Sequence, residues 1–173
     1  MRNFLILAVL PALAVASPAL AQTGSATGTV NIDGSVANRC VFTLPNATIS
    51  LGELSLASTG KLDPAKVNGR TATLTGWCNG TASTMTVATT QLTTPTTATA
   101  GFDNRVDYTG TAVANSVSGS DSSLTAGAGS PVTVGQFSGN IVVTLSAASS
   151  PTGGLMVAGT YTGNVQVTLA PAV

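Results

Sequence analysis

TVNIDGSVANRCVFTLPNATISLGE, residues Thr29–Glu53, is the stretch that decides the fold. Between Val30 and Phe42 the side chains alternate with a period of two, and most of the apolar ones occupy the even positions: Val30, Ile32, Gly34, Val36, Asn38, Cys40 and Phe42. Successive side chains of a strand point to opposite faces, so this period predicts a long, half-buried strand. Cys40 is expected on its inner face.

The second cysteine lies in another alternating run, GRTATLTGWCNG, where Ala72, Leu74, Gly76 and Cys78 share a face. Two strands that each place their only cysteine on the apolar side predict a buried disulfide between Cys40 and Cys78. A metal pair and a redox couple are the alternatives, but the chain has no histidine and no C-x-x-C motif. A disulfide closing a loop of this length would stabilise the fold by about 3–4 kcal/mol.

The first 21 residues, Met1–Ala21, have the features of a secretory signal peptide. Arg2 supplies the positive charge, Phe4–Ala16 is apolar, and Ala19-Leu20-Ala21 is a small-x-small cleavage site. A retained anchor is the alternative. We therefore expect export through an oxidising compartment to the cell surface or the medium. A short arm, Gln22–Gly28, is then followed by a single domain over residues 29–173.

Charged residues make up only 7% of the sequence, and loss of Arg2 leaves five basic against six acidic residues. There is no basic stripe for phosphate groups, which disfavours nucleic-acid binding. A soluble domain normally carries far more charge. The low charge favours a surface that is pressed against copies of itself.

Beyond the opening stretch, the chain consists of short alternating runs separated by Gly, Pro and Asn turns. Strands are predicted at Thr48–Gly52, Thr71–Cys78, Ser83–Leu92, Arg105–Val117, Val132–Phe137, Asn140–Ala147 and Thr160–Leu169, with a helical turn near Pro64–Val67. Asn79-Gly80 predicts a hairpin, and Ser118–Ser130 a mobile loop. The absence of amphipathic helices predicts an all-β sandwich.

No residue pattern indicates an active site, a cofactor or a small-molecule substrate. Histidine and the G-x-S-x-G motif are both missing. Asp103 and Asp107 are interpreted as solvated turn residues or local ion pairs, although a calcium site there is conceivable. Trp77, Tyr108 and Tyr161 are more consistent with packing than with stacking on a sugar. No catalytic or metal-binding residue is assigned.

The runs VNIDGSVANRCVF, ISLGEL, TLTGWCNG and AGTYTGNVQVTL together resemble the subunits of bacterial chaperone–usher fimbriae and the related spore coat protein U-like secreted domains. The resemblance covers most of the mature chain apart from Leu92–Ser130. It implies an immunoglobulin-like sandwich, with Cys40–Cys78 as the family's disulfide. In fimbrial subunits this sandwich lacks its last strand.

The resemblance implies export through the periplasm, where a chaperone fills the gap first in such subunits. The arm of the next subunit fills it afterwards, and an outer-membrane usher is the family's other partner. The resemblance thus implies partners that are other copies or related subunits. It implies a donor arm at Gln22, Gly24, Ala26 and Gly28, and an acceptor groove along Tyr161, Gly163, Val165, Val167 and Leu169.

Two features depart from the family pattern. The arm QTGSATG has little apolar area, and the family's tyrosine near the C-terminus is missing. Either the donor strand includes Thr29–Ile32, or the protein assembles differently. The alternative function is a secreted monomeric binding module that recognises carbohydrate or a surface through Trp77 and the tyrosines.

Overall fold

The computed structural model describes residues 24–171, and the chain divides into two units between Ser35 and Val36. The predicted signal peptide, residues 1–21, and Gln22 of the predicted arm lie outside the described residues. The strands are β1 (Cys40–Leu44), β2 (Thr71–Cys78), β3 (Thr84–Thr89), β4 (Leu92–Thr93), β5 (Phe102–Asp103), β6 (Arg105–Ala114), β7 (Val117–Ser122), β8 (Val132–Thr133), β9 (Phe137–Ser149), β10 (Leu155–Met156) and β11 (Val165–Ala170).

The larger sheet is antiparallel and has the order β1-β2-β9-β6, with β4 and β7 both paired to β6. Strand β2, TATLTGWC, shows how the sequence directs its two faces. Leu74, Gly76 and Cys78 are buried, whereas Thr73, Thr75 and Trp77, which alternate with them, are exposed or half-buried. The period of two thus places one face of the sheet in the core and leaves the other in solvent.

The second layer is a three-stranded sheet of order β11-β3-β8. Met85 and Val87 of β3 are almost completely buried, and they share a core with Leu74, Ala112 and Ile141 of the larger sheet. A second cluster beside it contains Val106, Tyr108 and Leu145 together with residues of the 54–67 segment. The two packed sheets confirm the predicted all-β, immunoglobulin-like sandwich.

Cys40 and Cys78 form a disulfide with a Cα–Cα distance of 4.2 Å, and they lie directly opposite each other in the register of β1 and β2. The predicted pairing is therefore confirmed. Cys78 is 3% exposed, so the bond lies at the edge of the core. The predicted helical turn is also confirmed, as a 3-10 turn at Pro64–Lys66.

The predicted strand Val30–Phe42 is wrong over most of its length. Strand structure begins only at Cys40, and Val30, Ile32 and Val36 are 85%, 90% and 86% exposed. The alternation is present in the sequence, but a period of two produces a half-buried strand only where a neighbouring strand and a second layer cover it. The side chain of Asn79 holds the chain just before β1. Its amide N–H donates to the carbonyl of Ala37, and its amide oxygen accepts from the backbone N–H of Arg39.

Four other predictions are corrected. Residues 48–52 form no strand, and the last strand begins at Val165 rather than Thr160. Asn79-Gly80 closes no hairpin, because β2 pairs with β1 and β9 whereas β3 pairs with β11 and β8.

The fourth correction concerns residues 118–122, which were expected to lie in a loop but belong to β7. Asn115 and Ser116 both have positive φ, and such a two-residue turn matches the twist of paired strands, so β7 folds back directly onto β6. The strand is polar, yet Gly119 and Asp121 face inward. Asp121 accepts a hydrogen bond from the backbone N–H of Thr89 in the other sheet, which satisfies its buried carboxylate.

Candidate functional site

Strand β11 has one paired edge and one unpaired edge. In the part of the chain that the structure describes, its strand pairing is with β3 alone, from Val165↔Thr89 to Ala170↔Thr84. The residues that follow β1, from 45 to 53, contain no strand. The sandwich is therefore open between β11 and the chain that leaves β1.

A cavity of about 290 Å³ lies at this opening. One wall is residues 47–49 with Leu51, and the other is residues 163–165. Its floor is the inner face of the larger sheet and the neighbouring core: Ala72, Leu74, Leu92, Tyr108, Val143 and Leu145. The opening thus leads to apolar side chains that belong to the core of the domain.

A larger cleft of about 770 Å³ is lined by residues 49–55 and 156–163 together with Leu92. It shares Ile49, Leu51, Leu92 and Gly163 with the smaller cavity. We call the two together the edge groove. One wall comes from the 49–55 segment and the other from the chain that enters β11, so the edge groove runs between two segments of main chain.

The chain just before this wall, residues 150–155, is held in place by Asp103, which is 3% exposed. Its carboxylate accepts hydrogen bonds from the hydroxyl of Thr152 (2.9 Å) and from the backbone N–H of Gly154 (2.9 Å). Tyr161, part of the same wall, donates its hydroxyl to the carbonyl of Val157 at 2.9 Å. Burial raises the pKa of Tyr161, which keeps that hydroxyl a donor. Asp103 was interpreted as a solvated turn residue or a member of a local ion pair; it is instead buried and hydrogen-bonded to residues 152 and 154.

Acidification is expected to loosen this wall. Burial on its own would raise the pKa of Asp103, but the hydrogen bonds from Thr152, Gly154 and Ser150 outweigh it, so the pKa lies below its ordinary value. Because the folded pKa is the lower one, the contribution to stability is complete above the unfolded carboxyl pKa of about 3.9 and is lost as the pH falls towards the folded value. When the free energy of unfolding is measured against pH, Asp103→Asn should therefore show a smaller decrease at acidic pH than the unchanged protein. An equal decrease in both proteins would contradict this role.

The predicted acceptor residues divide into two groups. Tyr161, Gly163 and Val165 line the edge groove. Val167 is buried, and Leu169 packs against the core beside Phe42, so these two support the wall from inside.

Of the predicted arm, Gly24, Ala26 and Gly28 are exposed. More informative are Val30, Ile32 and Val36, the large exposed apolar residues just after them. Their alternation was visible in the sequence but indicated a covered strand.

The aromatic residues singled out in the sequence have different environments. Tyr108 is 3% exposed, its hydroxyl donates to the carbonyl of Asn164 at 3.2 Å, and burial raises its pKa to about 12. Trp77 is half-buried on the outer face of the larger sheet. The second acidic candidate, Asp107, is 2% exposed and lies 3.4 Å from the guanidinium Nε of Arg105. It forms the local ion pair that was expected, in a buried rather than a solvated position.

The described residues contain no cluster of three or more side chains that could bind a metal ion, and no helix among them is long and apolar enough to cross a membrane. No protein-family model, curated protein or solved structure matches the chain. The features that bear on function are therefore the edge groove and the exposed segment at the start of the described chain.

Proposed function

We propose that the protein is a structural subunit of a bacterial surface fimbria or a similar extracellular polymer. An N-terminal segment of one copy adds a strand to the edge groove of the next. The observation that carries this proposal is the unpaired edge of β11 beside an opening to the core. The chain also carries an exposed segment whose apolar side chains have the period of a strand.

Strand addition would satisfy both partners. The backbone of the added segment would bond the free edge of β11, and alternate side chains would enter the apolar opening. Residues 29–36 present Val30, Ile32, Gly34 and Val36 on one side, and Asn31, Asp33 and Ser35 on the other. Burying one large aliphatic side chain is worth about 1.5–3 kcal/mol, so three of them supply a substantial driving force.

The proposed donor segment is therefore residues 29–36. Residues 22–28 offer only Ala26 and two threonines as apolar contacts, so they would extend the chain ahead of the donor segment without adding much buried area. The proposal also includes a periplasmic chaperone and an outer-membrane usher. A groove that opens to the core exposes apolar surface before assembly, and such surface needs a temporary cover during export.

A synthetic peptide TVNIDGSV, residues 29–36, should bind the protein truncated to begin at residue 37. A ligand that binds only the folded state at about 100 times its Kd adds roughly 2.7 kcal/mol of stability. For a domain of this size the melting temperature should rise by about 5–10 °C. The matched control is the same peptide with Asp in place of Ile32. Equal shifts with both peptides, or no shift with either, would contradict strand addition.

A further inference from the structure

The outer face of the larger sheet is a second surface with unusual chemistry. The register of β1, β2, β9, β6 and β7 arranges its side chains in five rows. We call it the outer face. Its members are Val41, Trp77 and Ser138; Leu44, Thr75 and Asn140; Thr73, Val142, Val113 and Ser118; Thr71, Thr144, Thr111 and Ser120; and Ser146, Thr109 and Ser122.

None of these seventeen side chains is charged. A solvated sheet face normally carries Lys and Glu, which keep proteins soluble and discourage association. The charges of the described residues lie elsewhere. Asp103, Asp107 and Asp121 are buried, and most of the accessible charges belong to the 53–70 segment. The outer face therefore has no charged side chain that would repel an identical face.

The area of the outer face and the kinds of side chain on it also suit a contact surface. Strands lie about 4.8 Å apart and same-face side chains about 6.8 Å apart, so five strands and five rows cover on the order of 600 Å². A standard interface buries about 800 Å² on each partner. Val41, Leu44, Val113 and Val142 are exposed on it, between short threonine and serine side chains that let another sheet approach closely.

We infer that the outer face binds the outer face of a second copy. The contact is isologous, with the same residues on both sides, so a charge near its centre would oppose itself across the two-fold axis. Its area is at the lower end for stable complexes, so the contact is reversible. It lies on a different surface from the edge groove and does not depend on strand addition. In a polymer it would join neighbouring filaments side by side.

The test compares Thr73→Lys with Thr168→Lys in the full mature chain that also carries Ile32→Asp, so that the proposed strand addition cannot form polymers. Both positions are exposed threonines on strands, but Thr73 belongs to the outer face and Thr168 to the second sheet. Sedimentation equilibrium over a wide concentration range should show a dimer that dissociates on dilution. Thr73→Lys should weaken it at least about tenfold in Kd, equivalent to about 1.4 kcal/mol, and Thr168→Lys should leave it unchanged.

Ile32→Asp, which disables the donor segment, separates this contact from the proposed strand addition. The reversible dimer should persist in that variant. Monomers at every concentration would overturn the inference, as would equal weakening by the two lysine variants. Retention of the mature chain on an insoluble neutral polysaccharide, lost in Thr73→Lys and without any self-association, would also overturn it, because the outer face would then bind a glycan.

Discussion

Ile32→Asp should abolish the proposed assembly and leave the subunit folded. Ile32 is 90% exposed, so a charge there costs the isolated domain almost nothing. In the proposed assembled state the same side chain would enter the apolar opening floored by Leu74, Val143 and Leu145. Burying an unpaired carboxylate among such residues costs several kcal/mol, and the variant also loses the burial of the isoleucine, so the added strand should no longer bind stably. Long polymers should be replaced by monomers and reversible dimers on native gels and in electron micrographs.

The matched control is Asn31→Asp, which places the same charge one residue earlier. Residue 31 lies on the opposite side of an extended segment, so its side chain would remain in solvent after strand addition. Polymer length should stay close to that of the unchanged protein. If both variants polymerise equally well, residues 29–36 are not the donor segment. If both melt at a lower temperature than the unchanged protein, the segment contributes to the domain itself.

Loss of the disulfide should produce the largest change in stability. Cys40 and Cys78 are 38 residues apart in sequence, and in the chain-entropy model the closure of such a loop is worth about 4 kcal/mol. Domains typically unfold with only 5–15 kcal/mol, so this is a large fraction of the total. Cys78→Ser should therefore unfold at a much lower denaturant concentration, with a free energy of unfolding lower by about 3–4 kcal/mol.

The disulfide also connects stability with assembly. It fixes the start of β1 against β2, and the chain that leaves β1 forms one wall of the edge groove. The double variant Cys40→Ser/Cys78→Ser is the control, because it lacks the bond without leaving a free thiol. Its loss of stability should match that of the single variant. A loss below about 1 kcal/mol would show that strand pairing alone fixes β1.

The sequence predicted those parts of the fold where local pattern and tertiary partner agree. Strand β2 has the predicted bounds, because its alternation is covered by a complete second layer. The disulfide followed from the parity of Cys40 and Cys78. The same parity argument failed from Val30 to Arg39, because alternation indicates which side chains can be buried together and not whether a partner in the same chain buries them.

Other features could not be predicted because a tertiary partner is present where the sequence has no apolar alternation. Strand β7 carries Ser, Gly and Asp instead of apolar residues, and its pairing depends on the Asn115–Ser116 turn and on the buried bond of Asp121 to Thr89. The residue pattern did not indicate the edge groove either; only the family resemblance implied an acceptor groove along the last strand. It is produced where Ile49 and Leu51 pass beside β11 without pairing to it, and this is a property of the tertiary arrangement.

A mixture of two variants tests whether the donor segment of one copy binds the edge groove of another. Ile32→Asp retains the edge groove but disables the donor segment. Leu51→Asp retains the donor segment but places a charge in a half-buried side chain that lines both cavities of the groove. In the concentration range where the outer-face contact dissociates, each variant alone should sediment as a monomer. A one-to-one mixture should form a heterodimer that does not dissociate on dilution. Monomers in the mixture, or polymers from either variant alone, would contradict the account.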